Sequence, residues 1–262
     1  MMTAQYQIGI IGFGFIGSSL YKALSATDIN VASVLDPDSE EMAALPAAIG
    51  TTDRARFLES AGSLDLVVEV AHPQVTVSMG HDVLRKTSYM PCSMVALAND
   101  ELLDSLLTTA RECGTQLFIP HGAVAGMDNF LDCREKWQSA EVTFRKPPTS
   151  IDKGGEHEGG EVVLFEGSAR DIAEMFPRSV NSMVTFALAT LGLDNTLTRI
   201  IADPSLDKML VGEFKAVGKD GSRLTVFKNE PAVGVSSTGM VDSIKGSVIR
   251  ALGAAIKGPR FV

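Results

Sequence analysis

Cysteine, histidine and basic charge are all scarce in this chain of 262 residues, and long apolar runs are missing from it. The three cysteines, Cys92, Cys113 and Cys133, are odd in number and fall at no metal-ligand spacing. That excludes a disulfide framework, gives no reason to expect a metal, and fits a reducing cytosol in which buried thiols act as small apolar groups. The four histidines, His72, His81, His121 and His157, leave few groups for proton transfer near neutral pH. Lysine and arginine number 23 against 32 acidic residues, for a formal net charge of −9. This balance argues against nucleic acid and anionic membranes as main partners, although a local basic pocket can still hold an anion. No uncharged run is long enough to span a bilayer, and Met1 to Gln7 lacks the basic-then-apolar pattern of a signal peptide. The expectation is a cytoplasmic protein. There is no internal repeat and no long low-complexity tract. What is present is ordinary for a globule: 45% hydrophobic and 21% charged residues, in a length sufficient for two modest domains.

The apolar run Ile8-Gly9-Ile10-Ile11 reads as a buried strand. Gly12-Phe13-Gly14-Phe15-Ile16-Gly17 follows it, and Ile16, Leu20, Ala23 and Leu24 then share one helical face. The glycines thus sit at a strand-to-helix turn, the context in which this spacing binds a dinucleotide. Gly12 permits the tight turn, Gly14 lets a pyrophosphate approach the backbone, and Gly17 lets the helix lie close on the strand. With Phe15 and Ile16 in its first turn, the helix would offer free N–H groups and a partial positive charge. The bland alternative is a tight turn that binds nothing. The next strand, Ile29 to Leu35, ends at Asp36, near the spacing at which a carboxylate meets the adenosine ribose hydroxyls. Such a carboxylate repels a 2′-phosphate, so NAD is expected, with NADP possible. Asp36 as a local turn cap is the competing reading.

Further strands are expected at Asp65–Val70, Tyr89–Met94 and Gln116–Ile119, and helices at Glu40–Leu45, from Thr52 or Asp53 through Leu58, at Pro73–Leu84, and at Glu101–Cys113 capped by Asn99 or Asp100. Leu102, Leu103, Leu106, Leu107 and Ala110 form a stripe read as core. The alternation predicts an α/β chain with a Rossmann-type doubly wound parallel sheet. Ligands bind at strand ends in such sheets, which makes Ala71 and His72 candidates for the cofactor site. His72 as a local cap is the alternative. Near residue 122 the pattern changes. Ala140–Arg145, Glu161–Phe165, Leu197–Ala202, Leu210–Val217 and Leu224–Lys228 read as strands, and Ser168–Met175 and Ser179–Leu191 as helices. Lys146 to Gly160, which includes His157, reads as a mobile loop, and Gly218-Lys219-Asp220-Gly221 as a hairpin turn. The expectation is a second α/β domain over residues 123–235 with a mixed, open sheet of about four strands, serving substrate binding and oligomerisation. The final helix, Ser236–Ile256, would rejoin the first domain, so that residues 1–122 and 236–262 form the dinucleotide-binding unit.

Several strings in the chain resemble the L-aspartate dehydrogenases and their animal homologues: Asp65 to Pro73, Ala96 to Leu103, Pro120 to Asp128, Arg145-Lys146-Pro147-Pro148, Phe165 to Arg170, Phe176 to Asn181, and Ala202-Asp203-Pro204. The resemblance covers nearly the whole chain and implies oxidation of aspartate by NAD(P)+ to iminoaspartate, then oxaloacetate and ammonia. It also implies that Ala123 and Asn181 contact the cofactor. The family carries its active-site histidine shortly after the Ala-Asp-Pro string. Here that segment, Asp207 to Phe214, has none, and the matching position is close to Gly212. The residues that remain for proton transfer are His121, at the end of the last expected Rossmann strand, and Lys208 or Lys146, either of which would act as a base only if desolvated or would bind a carboxylate. Each has a plainer reading, His121 as a hinge hydrogen-bond partner and the lysines as surface or structural groups. Two classes of function follow: a dehydrogenase acting on an amino or oxo acid, and a dinucleotide-binding sensor or scaffold without turnover. A homodimer is expected in either case.

Overall fold

The computed structural model describes residues 6–38, 40–151, 160–233 and 236–254. They separate into two compact units, Met1–Pro120 with Val241–Val262, and His121–Met240.

The first unit is built on five strands: β1 (Tyr6–Ile11), β2 (Ile29–Leu35), β3 (Gly50–Thr51), β4 (Leu66–Glu69) and β5 (Ser88–Pro91), in the order β3-β2-β1-β4-β5. All pairings are parallel. The chain adds strands on one side of β1 and then on the other, which creates a switch point between β1 and β4. β4 is buried from end to end, as a strand covered on both faces must be. Four helices connect the strands: α1 (Phe15–Leu24), α2 (Arg54–Ala61), α3 (Pro73–Leu84) and α4 (Asp100–Cys113). Asp53 caps α2 by accepting from Ala55 and Arg56 N–H, and Asn99 caps α4 through Leu102 N–H. Each such cap is worth about 1 kcal/mol. Gly114 ends α4 in the left-handed region, at φ 67°.

Some expectations fail locally. The strand foreseen to Met94 stops at Pro91, and a 3-10 turn takes over at Met94–Ala98. Gln116–Ile119 forms a single parallel bridge, Leu117 to Tyr89, not a full strand. Leu107 is 41% exposed, so the α4 stripe narrows to Leu106 and Ala110 with half-buried flanks at Leu102 and Leu103. Cys113 is exposed and does not act as a buried apolar group.

The second unit carries β6 (Trp137–Lys146), β7 (Val162–Ser168), β8 (Thr196–Ala202), β9 (Met209–Gly218), β10 (Arg223–Val233) and β11 (Ser236–Ser237). They form a mixed sheet ordered β11-β10-β9-β6-β8-β7, six strands where about four were expected. Register fixes its two faces, because side chains alternate along each strand. Val226, Phe214, Val142 and Thr198 lie in one row, and Lys228, Gly212, Phe144 and Ile200 in the next on the same face. On this side Phe186 of α7 (Asn181–Ala189) packs against Phe214 and against Phe130 of α5 (Met127–Asp132). α5 was not foreseen. α6 (Ala169–Met175) starts at Ser168, whose hydroxyl accepts from Asp171 N–H. On the opposite face stand Phe227, Glu213, Thr143, Arg199 and Glu166, a row of mixed charge.

The last helix, α8 (Gly239–Leu252), starts three residues later than expected, after β11. Of the foreseen loop 146–160, Pro148–Ser150 is a 3-10 turn, and both Ser150 and Ile151 are buried. Its remainder up to residue 159, including His157, and the helix end at residues 255–256 lie outside the described residues.

Candidate functional site

β1 runs into the turn before α1 with a hydrogen bond from Gly12 N–H to Leu35 O of β2. Gly12 has φ 95°, and a Cβ there would stand 2.7 Å from that of Ala71. A Cβ at Gly17 would overlap the Gly12 carbonyl oxygen. Both glycines are therefore demanded by the turn's own packing. Gly14 differs. Its φ is −70°, and no atom lies within 4 Å of where its Cβ would be. The protein's own packing does not require glycine there, and the bare backbone borders open space. Gly14 is also the N-cap of α1 and makes no side-chain capping bond. The first turn, which includes the half-exposed Phe15 and Ile16, follows directly, and the N–H groups of a helix's first turn lack intrahelical partners. A cradle of this kind fits a pyrophosphate.

Asp36 is brought directly to this turn. One carboxylate oxygen accepts from Phe13 N–H at 2.6 Å, and the other from Asp38 N–H at 2.9 Å. The turn cap that competed with the ribose reading is therefore formed, and it sets the carboxylate beside the glycine turn. Ala71 packs against Gly12 from the end of β4. His72 is the N-cap of α3, with Nδ1 accepting from Gln74 N–H at 3.2 Å.

Beneath Ala71 and His72 lies Glu69, completely buried at the end of β4. Oε1 accepts from Ala71 N–H at 2.6 Å and from the Ser93 hydroxyl at 2.8 Å, and Oε2 accepts from Ser93 N–H at 3.1 Å. Burial raises its pKa, and the hydrogen bonds from Ser93 and Ala71 pull it back. Burial and then the Glu69 charge push the Cys92 thiol well up, which disfavours its thiolate. Sequence reasoning passed over Glu69 as the close of a strand. The available signal was a carboxylate ending an apolar run in a sheet covered on both faces.

In the second unit the start of α7 gathers most of the remaining candidates. Ala123 N–H donates to the hydroxyl of Ser182, beside Asn181. Gly122, at φ 58°, lies close to the same hydroxyl. His121 precedes them, one-quarter exposed, with Nε2 3.5 Å from Asp128 Oδ1. Lys146, at the end of β6, is buried and donates from Nζ to Ser179 O at 3.0 Å. Its ammonium sits 5.4 Å over the Phe144 ring, and burial lowers its pKa to about 8. Lys208 is exposed on a turn, so the desolvation that a lysine base needs is found at Lys146 and not there. Gly212 faces the core: a Cβ there would stand 2.9 Å from Cε1 of Phe144. Among the described residues no cluster of three or more metal-binding side chains occurs, and no helix is long and apolar enough to cross a membrane.

Comparison with known proteins gives consistent matches to each half. Residues 12–120 match the family described as homoserine dehydrogenase, NAD binding domain, and residues 131–252 match aspartate dehydrogenase, C-terminal. The L-aspartate dehydrogenase of Methanosarcina mazei is 34% identical over 241 residues, covering 86% of this chain and 89% of that protein. An aspartate dehydrogenase domain-containing protein of Xenopus tropicalis is 28% identical over 259 residues, covering 89% of each. Among solved structures, aspartate dehydrogenase from Thermotoga maritima aligns with a TM-score of 0.76 at 21% identity, covering 97% of this chain and 100% of that one. A hyperthermophilic archaeal homoserine dehydrogenase in complex with NADPH aligns with a TM-score of 0.60 at 12% identity, covering 94% and 97%. At these identities the structural likeness speaks for the fold.

Proposed function

The chain belongs to the L-aspartate dehydrogenase family, and from that premise we propose that it is an NAD(P)-dependent oxidoreductase that interconverts L-aspartate, or a related amino acid, with its imino acid. The observation that carries this reading is the glycine turn, with open space at Gly14 and the Asp36 carboxylate fixed beside it. In the proposal Gly12 and Gly17 shape the turn, Gly14, Phe15 and Ile16 hold the pyrophosphate by backbone N–H groups, and Asp36 takes the adenosine ribose. Ala71 and His72, just past the end of β4, are also given to the cofactor, and Ala123 and Asn181 are given to it on the family resemblance alone. When bound, the dinucleotide supplies an acceptor for the hydride that leaves the substrate's C2. The protein's own tasks are to orient the substrate, to bind its carboxylates and to take the proton from its ammonium. We assign the proton to the imidazole of His121, whose Nε2 lies 3.5 Å from Asp128. Asp128 is largely exposed, so its charge is screened. Lys146 is the second candidate. In the steady state, NADH consumption that requires both oxaloacetate and ammonium supports the proposal. Consumption with a different oxo acid instead would keep the reaction class and change the substrate.

A specific observation favours the runner-up, a dinucleotide-binding sensor or scaffold. Near Gly212, where the family places its histidine, Phe144 fills the space that a side chain would need. Tight NADH binding without turnover on any oxo acid would select that reading.

Asp36→Ala is expected to narrow the preference for NADH over NADPH, because a carboxylate accepts from ribose hydroxyls and repels a phosphate. Parallel titrations of wild type and variant check this. A wild type that already prefers NADPH would reverse the role given to Asp36.

The face of the second sheet opposite α7 carries Phe227 at 63% exposure, with Val163 and Leu197 also exposed, although Thr143 and Ile201 on it are buried. We infer a homodimer that covers it. Light scattering at micromolar concentration should give about twice 27.8 kDa, and Phe227→Glu should shift it toward the monomer. A wild-type mass near 27.8 kDa alone would contradict the dimer.

A further inference from the structure

Glu69 has no part in the scheme above, yet it sits at the switch point of the first sheet. Register places it level with Ile11, the last residue of β1, on one side and with Pro91, the last of β5, on the other. Ligands of open parallel sheets bind outside the strand ends at such a point, with one nucleotide half on each side. The carboxylate reaches both loops that follow β4 and β5. It takes Ala71 N–H from the first, and Ser93 N–H and hydroxyl from the second. Cys92 N–H closes on the Glu69 carbonyl at 2.8 Å. The groups that hold it are N–H and O–H donors rather than a cation. A buried carboxylate is a costly way to join two loops if stability is the only aim, and it persists where the loops must be held in one arrangement. The glycine turn touches Ala71 at Gly12, but its own hydrogen bonds run to the other side, from Gly12 N–H to Leu35 O and from Phe13 N–H to Asp36.

We propose that Glu69 is a positioning residue for the nicotinamide half of the dinucleotide site, fixing the Ala71–His72 and Cys92–Ser93 loops against each other, while the adenosine half is anchored mainly through Asp36. The proposal rests on the reading of the glycine turn as a dinucleotide site. It predicts a split that general loosening of the fold does not produce. Glu69→Gln keeps the shape but turns an NH2 group toward a backbone N–H, so one loop loses its acceptor.

Calorimetric titration with NADH and with ADP-ribose, which lacks the nicotinamide, tests it alongside thermal melting. In Glu69→Gln the Kd for NADH should rise about tenfold or more, the cost of one unsatisfied buried donor, while the Kd for ADP-ribose stays at the wild-type value. Ser93→Ala, which removes one donor and leaves the charge, should show the same split to a smaller extent, and it carries the test if Glu69→Gln does not fold. Equal weakening of both ligands, or unchanged NADH binding, would overturn the proposal and leave the cofactor reading standing. A wild type that binds neither ligand would overturn the cofactor reading and this proposal with it.

Discussion

Gly14→Val abolishes NADH binding in a protein that folds and melts like the wild type. Both halves of that expectation come from the same geometry. A Cβ at residue 14 meets nothing within 4 Å, and the φ of −70° is one that any L-residue adopts. The variant therefore has no steric reason to unfold. The space that the new side chain enters is the space that a pyrophosphate needs, directly over the first-turn N–H groups of α1. The loss should be at least a hundredfold in Kd, or roughly 2.7 kcal/mol, since the phosphates are excluded and not merely weakened. Gly17 is the contrasting control: a Cβ there overlaps the Gly12 carbonyl, so Gly17→Val should lose stability and binding together. A folded Gly14→Val with wild-type affinity for NADH would mean that the nucleotide binds elsewhere or that the turn binds nothing.

The second large effect concerns the proton. His121→Ala is expected to lower turnover by roughly a hundredfold or more, as for loss of a general base, and to leave the Kd for NADH nearly unchanged. The imidazole stands beside Asp128 and two residues before Ala123, whose N–H is joined to the start of α7 next to Asn181. A fall in turnover without a fall in NADH affinity is what loss of a proton acceptor produces. Lys146 offers the competing outcome. Its amine is buried with a pKa lowered to about 8, so it is protonated, and unable to accept, over much of the neutral range. A wild-type limb near 8 that survives His121→Ala and disappears in Lys146→Met would transfer the role to the lysine. Near-normal turnover in both variants would leave the proton to water or to the substrate itself.

Local signals made much of this molecule legible. Pro73 and Leu84 bound α3, and Asn99 and Asp53 cap the helices they precede. β2 runs over Ile29–Leu35 as its apolar pattern and terminal Asp36 suggest. The glycine turn was readable because its steric demands are nearly local: a tight turn at Gly12 and a close crossing at Gly17. Long-range register was not readable. β10 extends to Val233 by pairing with β9 as far as Pro231 and then with β11, well past the apolar stretch that marks it. Gln116–Ile119 has the composition of a strand but pairs through one bridge, because β5 ends at Pro91. Site residues divided along the same line. Asp36 and the glycines announce themselves by spacing. Lys146 and Lys208 look alike in sequence, and only packing against Phe144 and Ser179 makes one of them a desolvated amine. Glu69 gave the weakest signal, since its importance lies in Ser93, twenty-four residues away.

The central claim is that a family member without a histidine near Gly212 still moves a hydride between nicotinamide and an amino-acid carbon. Label transfer tests it most directly. NADH carrying deuterium at the transferable nicotinamide position is incubated with the protein, oxaloacetate and ammonium, and the products are examined by mass spectrometry. Deuterium at C2 of newly formed aspartate is the predicted result. Label that stays wholly on the nicotinamide, in a protein that binds NADH, would contradict the claim.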